Sequence, residues 1–280
     1  MLWNKARPSD NVNDIRPGKD ARTTKILGAG LAVVTMAGVG LYSATGSSPV
    51  EPTNQPISFS ASSASEDPQL KFVESVLGDT EDTWKQLFAE TGQHYPPPVL
   101  TLFSDGVDSP CGYASPGSGP FYCPANSQLY LDPAFFAQIA RQLSVNGEFA
   151  QAFMIAHEVG HHVQLELGLS APLEQALSAR QTVIGDSGLE VRAELQADCL
   201  AGVWAHHAQQ RLAWLEPGDL EDALNATHSI GDDYLQAAQN GPVRPETFSH
   251  GTSEQRTRWF SAGFDSGRIS ACDTFSPAQL

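Results

Sequence analysis

The chain has 280 residues, with 16 Lys+Arg against 32 Asp+Glu and a formal net charge of −16. That length suits one or two domains with a sizeable core, and 41% hydrophobic with 17% charged residues excludes a coiled coil or a wholly disordered chain. Residues 1–25 hold six basic and three acidic residues (+3) and the remainder ten and 29 (−19), which excludes a general nucleic-acid binder, since phosphate binding needs clustered Lys and Arg.

Residues 26–44 carry no charge. At ~1.5 Å per residue they make roughly 28 Å of helix, close to the thickness of a bilayer core. Lys19, Arg22 and Lys25 precede them; Glu51, Glu66 and Asp67 are the first charges that follow. The positive-inside rule then predicts a cytoplasmic tail (1–25), a transmembrane helix (26–44) and an acidic remainder outside the cytoplasm, in a single-pass protein of the cell membrane. The rival is a signal peptide cut after Ala44, for which both the polar start and the apolar core are long.

Residues 45–68, rich in Ser, Pro, Thr and Ala, predict a flexible linker, and 69–280 a folded domain. A helix is expected over 69–91 on Phe72, Val73, Val76, Trp84, Leu87 and Phe88, with an irregularity at Gly78. The prolines at 96–98 stop it. Strands follow at 99–103, 121–123 and 128–131, separated by a Gly/Pro/Ser-rich loop over 105–120. Asp132 before Pro133 turns the chain helical. Further helices are expected over 147–167, 188–212, 219–238 with a break at Gly231, and 252–267, the last opened by the capping box from Thr252 to Gln255. A small β element followed by helices is an α+β arrangement.

Cys111, Cys123, Cys199 and Cys272 all follow the expected span. An even count in an oxidising compartment predicts two disulfides, with three possible pairings. Cys111 and Cys123 bracket one loop, which favours 111–123 and leaves 199–272. A buried free thiol at Cys199 is the alternative.

The stretch Ala156-His157-Glu158-Val159-Gly160-His161-His162 contains H-E-x-x-H on an expected helix. Four residues apart, His157 and His161 project from one face and can share a metal ion. Glu158 beside them can take a proton from a metal-activated water. A solvated His pair is the bland alternative, and the apolar neighbours Phe153, Ile155, Ala156 and Val163 argue against it. A catalytic zinc site takes a third protein ligand. Glu194, 33 residues after His161, and Asp198 share one face of an apolar helix. Glu194 suits the third ligand; Asp198 suits a carboxylate that fixes the tautomer of a ligating histidine. His250 precedes the capped helix that carries Arg256, and the pair is a candidate for binding the oxyanion of peptide hydrolysis. His162 is expected to be structural or substrate-facing.

HEVGHHVQ, ELQADCLAGVW, IGDD-x-LQ and HGTSEQR-x-RWF, with the opening W-x-x-x-x-x-SDNVND, resemble the neutral zinc metallopeptidase family of bacteria over nearly the whole chain outside the linker. The resemblance implies a zincin-like domain of gluzincin type, a small sheet followed by a helical bundle carrying HExxH and ExxxD. It implies Zn²⁺ on His157, His161 and Glu194, Glu158 as the base, and a peptide or protein substrate. More distantly, the order HExxH, ExxxD, then a His and an Arg six residues later is similar to the membrane CAAX-protease and heat-shock metallopeptidase group. That likeness maps onto His250 and Arg256, and the chain departs from it in having one expected span. The expectation is a single-span, outward-facing zinc endopeptidase with an edge strand able to hold an extended peptide. The alternative is a non-catalytic zinc-containing binding or chaperone-like envelope protein.

Overall fold

Asp67 and Pro68 open the first long helix. In the computed structural model, which describes residues 1–17 and 67–280 apart from positions 144, 146, 240 and 279, helix α1 (Pro68–Glu90) starts where the Asp67 carboxylate accepts from the Gln69 and Leu70 amides. This is an N-cap followed by proline at the first helical position. The face predicted from spacing, from Phe72 to Phe88, is buried.

The sheet has the order β1-β2-β6-β5. Strand β1 (Val12–Asp14) runs parallel to β2 (Val99–Leu102), with Val12 opposite Leu100. Strand β6 (Gln128–Leu131) is parallel to β2, and β5 (Phe121–Cys123) lies antiparallel to β6 at the end of the sheet. The expected loop over 105–120 contains a two-stranded hairpin, β3 (Val107–Ser109) and β4 (Gly112–Ala114). Cys111 in its turn is bonded to Cys123 of β5, and Cys199 is bonded to Cys272. Both expected pairs therefore stand, and Cys199 is not a free thiol.

Seven helices follow among the described residues: α2 (Ala134–Leu143), α3 (Glu148–Leu167), α4 (Ala171–Ser178), α5 (Leu189–Leu212), α6 (Asp219–Ser229), α7 (Asp232–Ala238) and α8 (Ser253–Ser266). The break at Gly231 and the Thr252–Gln255 capping box are both present. Helix α4 was not expected. Trp84, Phe149, Phe153, Trp204, Trp214 and Phe260 are fully buried where α1, α3, α5 and α8 meet. Helix α5 can lie close to α8 because a Cβ at Gly263 would fall on the Cys199 carbonyl oxygen. It lies close to α3 because a Cβ at Gly160 would come within 2.9 Å of the Ala197 carbonyl oxygen. The second of these contacts sets the motif helix directly against the helix carrying Glu194 and Asp198.

The fold class is α+β, corrected in one respect: the transmembrane helix. Among the described residues no helix is long and apolar enough to cross a membrane, and the expected span, 26–44, and most of the linker, 45–68, lie outside the described residues. The described part of the expected tail carries the correction further. Residues 1–17 belong to the same compact unit as 67–280. Strand β1 extends the sheet, the Ser9 amide donates to the Glu74 carbonyl at 2.8 Å, and Trp3 packs edge-on against Phe72 at 5.9 Å. A single crossing between them would put these partners on opposite sides of a hydrocarbon layer roughly 30 Å thick. Gly78 is no irregularity either: α1 runs through it, and its missing Cβ leaves room for the Arg7 carbonyl.

Candidate metal centre

The HExxH motif occupies the middle of α3, and one turn of that helix brings His157 and His161 over α5. Ligand atoms of His157, His161 and Glu194 all lie within 4.8 Å of one another. Glu194 Oε2 is 3.1 Å from His157 Nε2, and Glu194 Oε1 is 3.3 Å from His161 Nε2. Two imidazoles and one carboxylate, converging from one side, match the donor types and number of a catalytic zinc site with a position left open.

The other ring nitrogens are held. His157 Nδ1 donates to Asp198 Oδ1 at 2.8 Å. Asp198 is fully buried and accepts both Nε and Nη2 of Arg256, at 2.8 and 2.9 Å. His161 Nδ1 donates to Gln164 Oε1 at 2.9 Å. Gln164 Nε2 in turn donates to the Ala193 carbonyl and to Gln196 Oε1, and Gln196 Nε2 donates to the Cys272 carbonyl at 2.8 Å. This chain has one consistent direction and ends on a main-chain carbonyl. It fixes the Gln164 amide and turns His161 Nε2 towards the Glu194 carboxylate, so that loss of the Nε2 proton frees its lone pair for a metal. Asp198 does the same for His157.

Charge follows the same geometry. Burial works against a charged His157, but Asp198 and Glu194 outweigh it and raise the pKa to about 10 in the metal-free chain. Burial alone would raise Glu194; the His161 and His157 imidazoles hold it well below the ordinary carboxylate range. Two imidazoles raised towards the charged form face one carboxylate, at a point that a divalent cation could occupy once the imidazoles give up their protons. The Glu158 carboxyl is raised, chiefly by burial, with opposing help from His157 and His161.

A cleft of about 400 Å³ opens over these groups, lined by His157, Glu158, His161, Glu194, His250 and Arg256 among others. The structure therefore brings all six residues expected at the reacting centre to one place. Arg256, however, is 3% exposed and committed to Asp198 and the Ile230 carbonyl. His250 reaches the cleft from a loop whose Ser249, His250 and Gly251 amides all donate to Asp232 Oδ2. Asp232 raises the His250 pKa against the effect of burial. His162 is structural: Nε2 donates to the Pro96 carbonyl at 2.7 Å and Nδ1 lies 3.1 Å from the Tyr122 hydroxyl, which ties α3 to β5. Sequence reasoning missed Gln164, Gln196 and Tyr122. The first was within reach, being three residues after His161 on the same helix face.

A family profile described as "Putative neutral zinc metallopeptidase" matches residues 1–275. The chain belongs to that family. Uncharacterized protein YpfJ of Escherichia coli (strain K12) is 43% identical over 98% of this chain and 99% of its own length. Uncharacterized protein Rv2575 of Mycobacterium tuberculosis (strain ATCC 25618 / H37Rv) is 42% identical over 73% of this chain and 70% of its own. No solved structure matches the chain. Membership implies Zn²⁺ and protein or peptide substrates, and His157, His161 and Glu194 are the group among the described residues that could hold the ion.

Proposed function

We propose that this chain is a zinc-dependent endopeptidase, with His157, His161 and Glu194 as the ligands and Glu158 as the general base. The observation that carries the reading is the convergence of those three donors beside Glu158 in an open cleft bordered by the terminal strand of the sheet. Bound zinc supplies Lewis acidity, polarising the scissile carbonyl and lowering the pKa of water towards neutrality. Glu158 takes the proton of the attacking water and passes it to the leaving amine. His250, facing the cleft, donates to the oxygen that becomes negative at the tetrahedral stage. Arg256 acts through Asp198, keeping that carboxylate ionised and aimed at His157.

Strand β5 gives the substrate a main-chain partner. It ends the strand order, and Phe121 and Tyr122 line the cleft, so an extended peptide can add to its outer side. Two disulfides in one domain support folding in an oxidising compartment outside the cytosol. The test compares wild type with Glu158→Gln on a peptide library, with zinc content measured in both. Glu158→Gln is expected to keep the metal and lose about 10²-fold or more in turnover. Equal cleavage by both proteins at full zinc occupancy would instead favour a structural zinc site in a binding protein.

A further inference from the structure

A second cleft, of about 320 Å³, lies on the other side of the metal group and shares Tyr122, His161 and Glu194 with the first. The two differ in chemistry. The first is walled by Phe135, Phe153, Met154, Ile230 and Leu235. The second has an aliphatic wall of Leu165, Leu173, Leu177 and Val183, and Glu174 and Glu190 line it as well. No Lys or Arg lines it. Glu174 is exposed and bonded to the Ser170 hydroxyl. Glu190 is half-buried, one helical turn before Glu194 on α5, and among the described residues its carboxylate has no hydrogen-bond or ion-pair partner.

Strand β5 sets the order of the two clefts. Gly119 and Pro120, just before it, line the first; Pro124, just after it, lines the second. A peptide added antiparallel, the more stable pairing, therefore runs from the second cleft, past the metal group, to the first. We infer that the enzyme selects polypeptides with Lys or Arg on the amino side of the scissile bond, held in the Glu190 cleft, and a bulky apolar residue on the carboxyl side, held in the Phe135–Phe153 cleft. The inference rests on the endopeptidase reading. A lysine suits the second cleft at both ends: its methylene stem covers the leucine wall while its ammonium reaches Glu190. An acidic side chain there would meet the Glu190 carboxylate, which Glu194 and Asp232 already repel and the His250 imidazole attracts without a close ion pair, and a short one would leave the wall uncovered.

The experiment is a positional-scanning library of extended peptides on the zinc-loaded full chain, followed by matched peptides with lysine or norleucine on the amino side of the cleaved bond. Norleucine keeps the stem and removes the charge. Wild type is expected to cleave the lysine peptide at least about tenfold better in kcat/KM. In Glu190→Gln that ratio falls towards one, and in Glu190→Lys it falls below one, in favour of norleucine. The same peptides are bound to the zinc-loaded Glu158→Gln protein by fluorescence anisotropy, where the lysine peptide binds more tightly unless Glu190 is also changed. Cleavage with no preference between lysine and norleucine, or a ratio indifferent to Glu190, overturns the cleft assignment and leaves the peptidase standing. Absence of any wild-type cleavage on the full library overturns the peptidase reading and this inference with it.

Discussion

At the scale of single residues, the centre is built from pairs in which one side chain fixes another. Gln164 is the clearest instance, because its amide has donors and acceptors assigned at both ends. Gln164→Leu keeps the size and removes all three bonds, so the His161 Nδ1 hydrogen loses its acceptor. Zinc affinity is expected to fall about 10–100-fold, read by competition with a chromogenic chelator; a change within twofold in a folded protein would refute the positioning role. Asp198→Asn acts differently. It leaves the buried Arg256 guanidinium without its counter-charge, and breaking a buried pair by removing one partner costs about 3–5 kcal/mol. Denaturant unfolding of the metal-free protein should show that loss before zinc enters the comparison. Glu158, His157 and His161 were legible in the sequence because five adjacent letters carry their geometry on a helix. Arg256 was legible as a site residue but not as the partner of Asp198, since 58 residues separate them and only the α5–α8 contact brings them together.

At the scale of elements, the long helices were readable almost to the residue, and α3 and α8 carry their own stop signals: Gly168 and Gly267 take the left-handed conformation just past them. The β elements were harder. Strand β1 is Val12-Asn13-Asp14, with no alternation or propensity to mark it; it is a strand only because β2 lies beside it. The hairpin of β3 and β4 hides in a Gly/Pro/Ser-rich stretch for the same reason. Helix proximity was equally unreadable, although the glycines that permit it were in plain sight. Gly160 tests this. In an open helix Gly→Ala is worth about 1 kcal/mol of added stability from propensity. At Gly160 the new methyl meets main-chain atoms of Ala197, at 2.9 Å from the carbonyl oxygen, and overpacking of that kind costs about 1–3 kcal/mol. The second effect is the larger, so Gly160→Ala should lower the thermal midpoint. It should also weaken zinc binding, since spreading α3 from α5 separates His157 and His161 from Glu194. A raised midpoint would show that the two helices are not in forced contact.

At the scale of the whole molecule, the first 17 residues hold the outcome that the sequence pattern misjudged. Charge flanking an apolar stretch is a local signal and says nothing about where a preceding segment docks; the contacts of residues 1–17 with α1 and β2 decide it. Glu81 is the anchor of that docking. Its side chain is 2% exposed, and it accepts from Ser9 Oγ, Asn11 Nδ2 at 2.7 Å and Arg7 Nη2 at 2.7 Å. Burial alone would raise its pKa, but Ser9, Arg7 and Asn11 together bring it below the ordinary value. A carboxyl with a depressed folded pKa contributes stability that is fully present above its unfolded pKa, about 4.3, and is lost as pH falls through the folded value. Docking of residues 1–17 should therefore be firm at neutral pH and weaken progressively below about pH 4. Amide hydrogen exchange of residues 9–14, corrected for the intrinsic pH dependence, reads this directly. Glu81→Gln should expose the same amides already at pH 7 while the α3 and α5 amides stay protected, and the difference between variant and wild type should shrink as acid protonates Glu81. If the difference stays constant down to pH 3, the carboxylate is not what holds the segment to the domain.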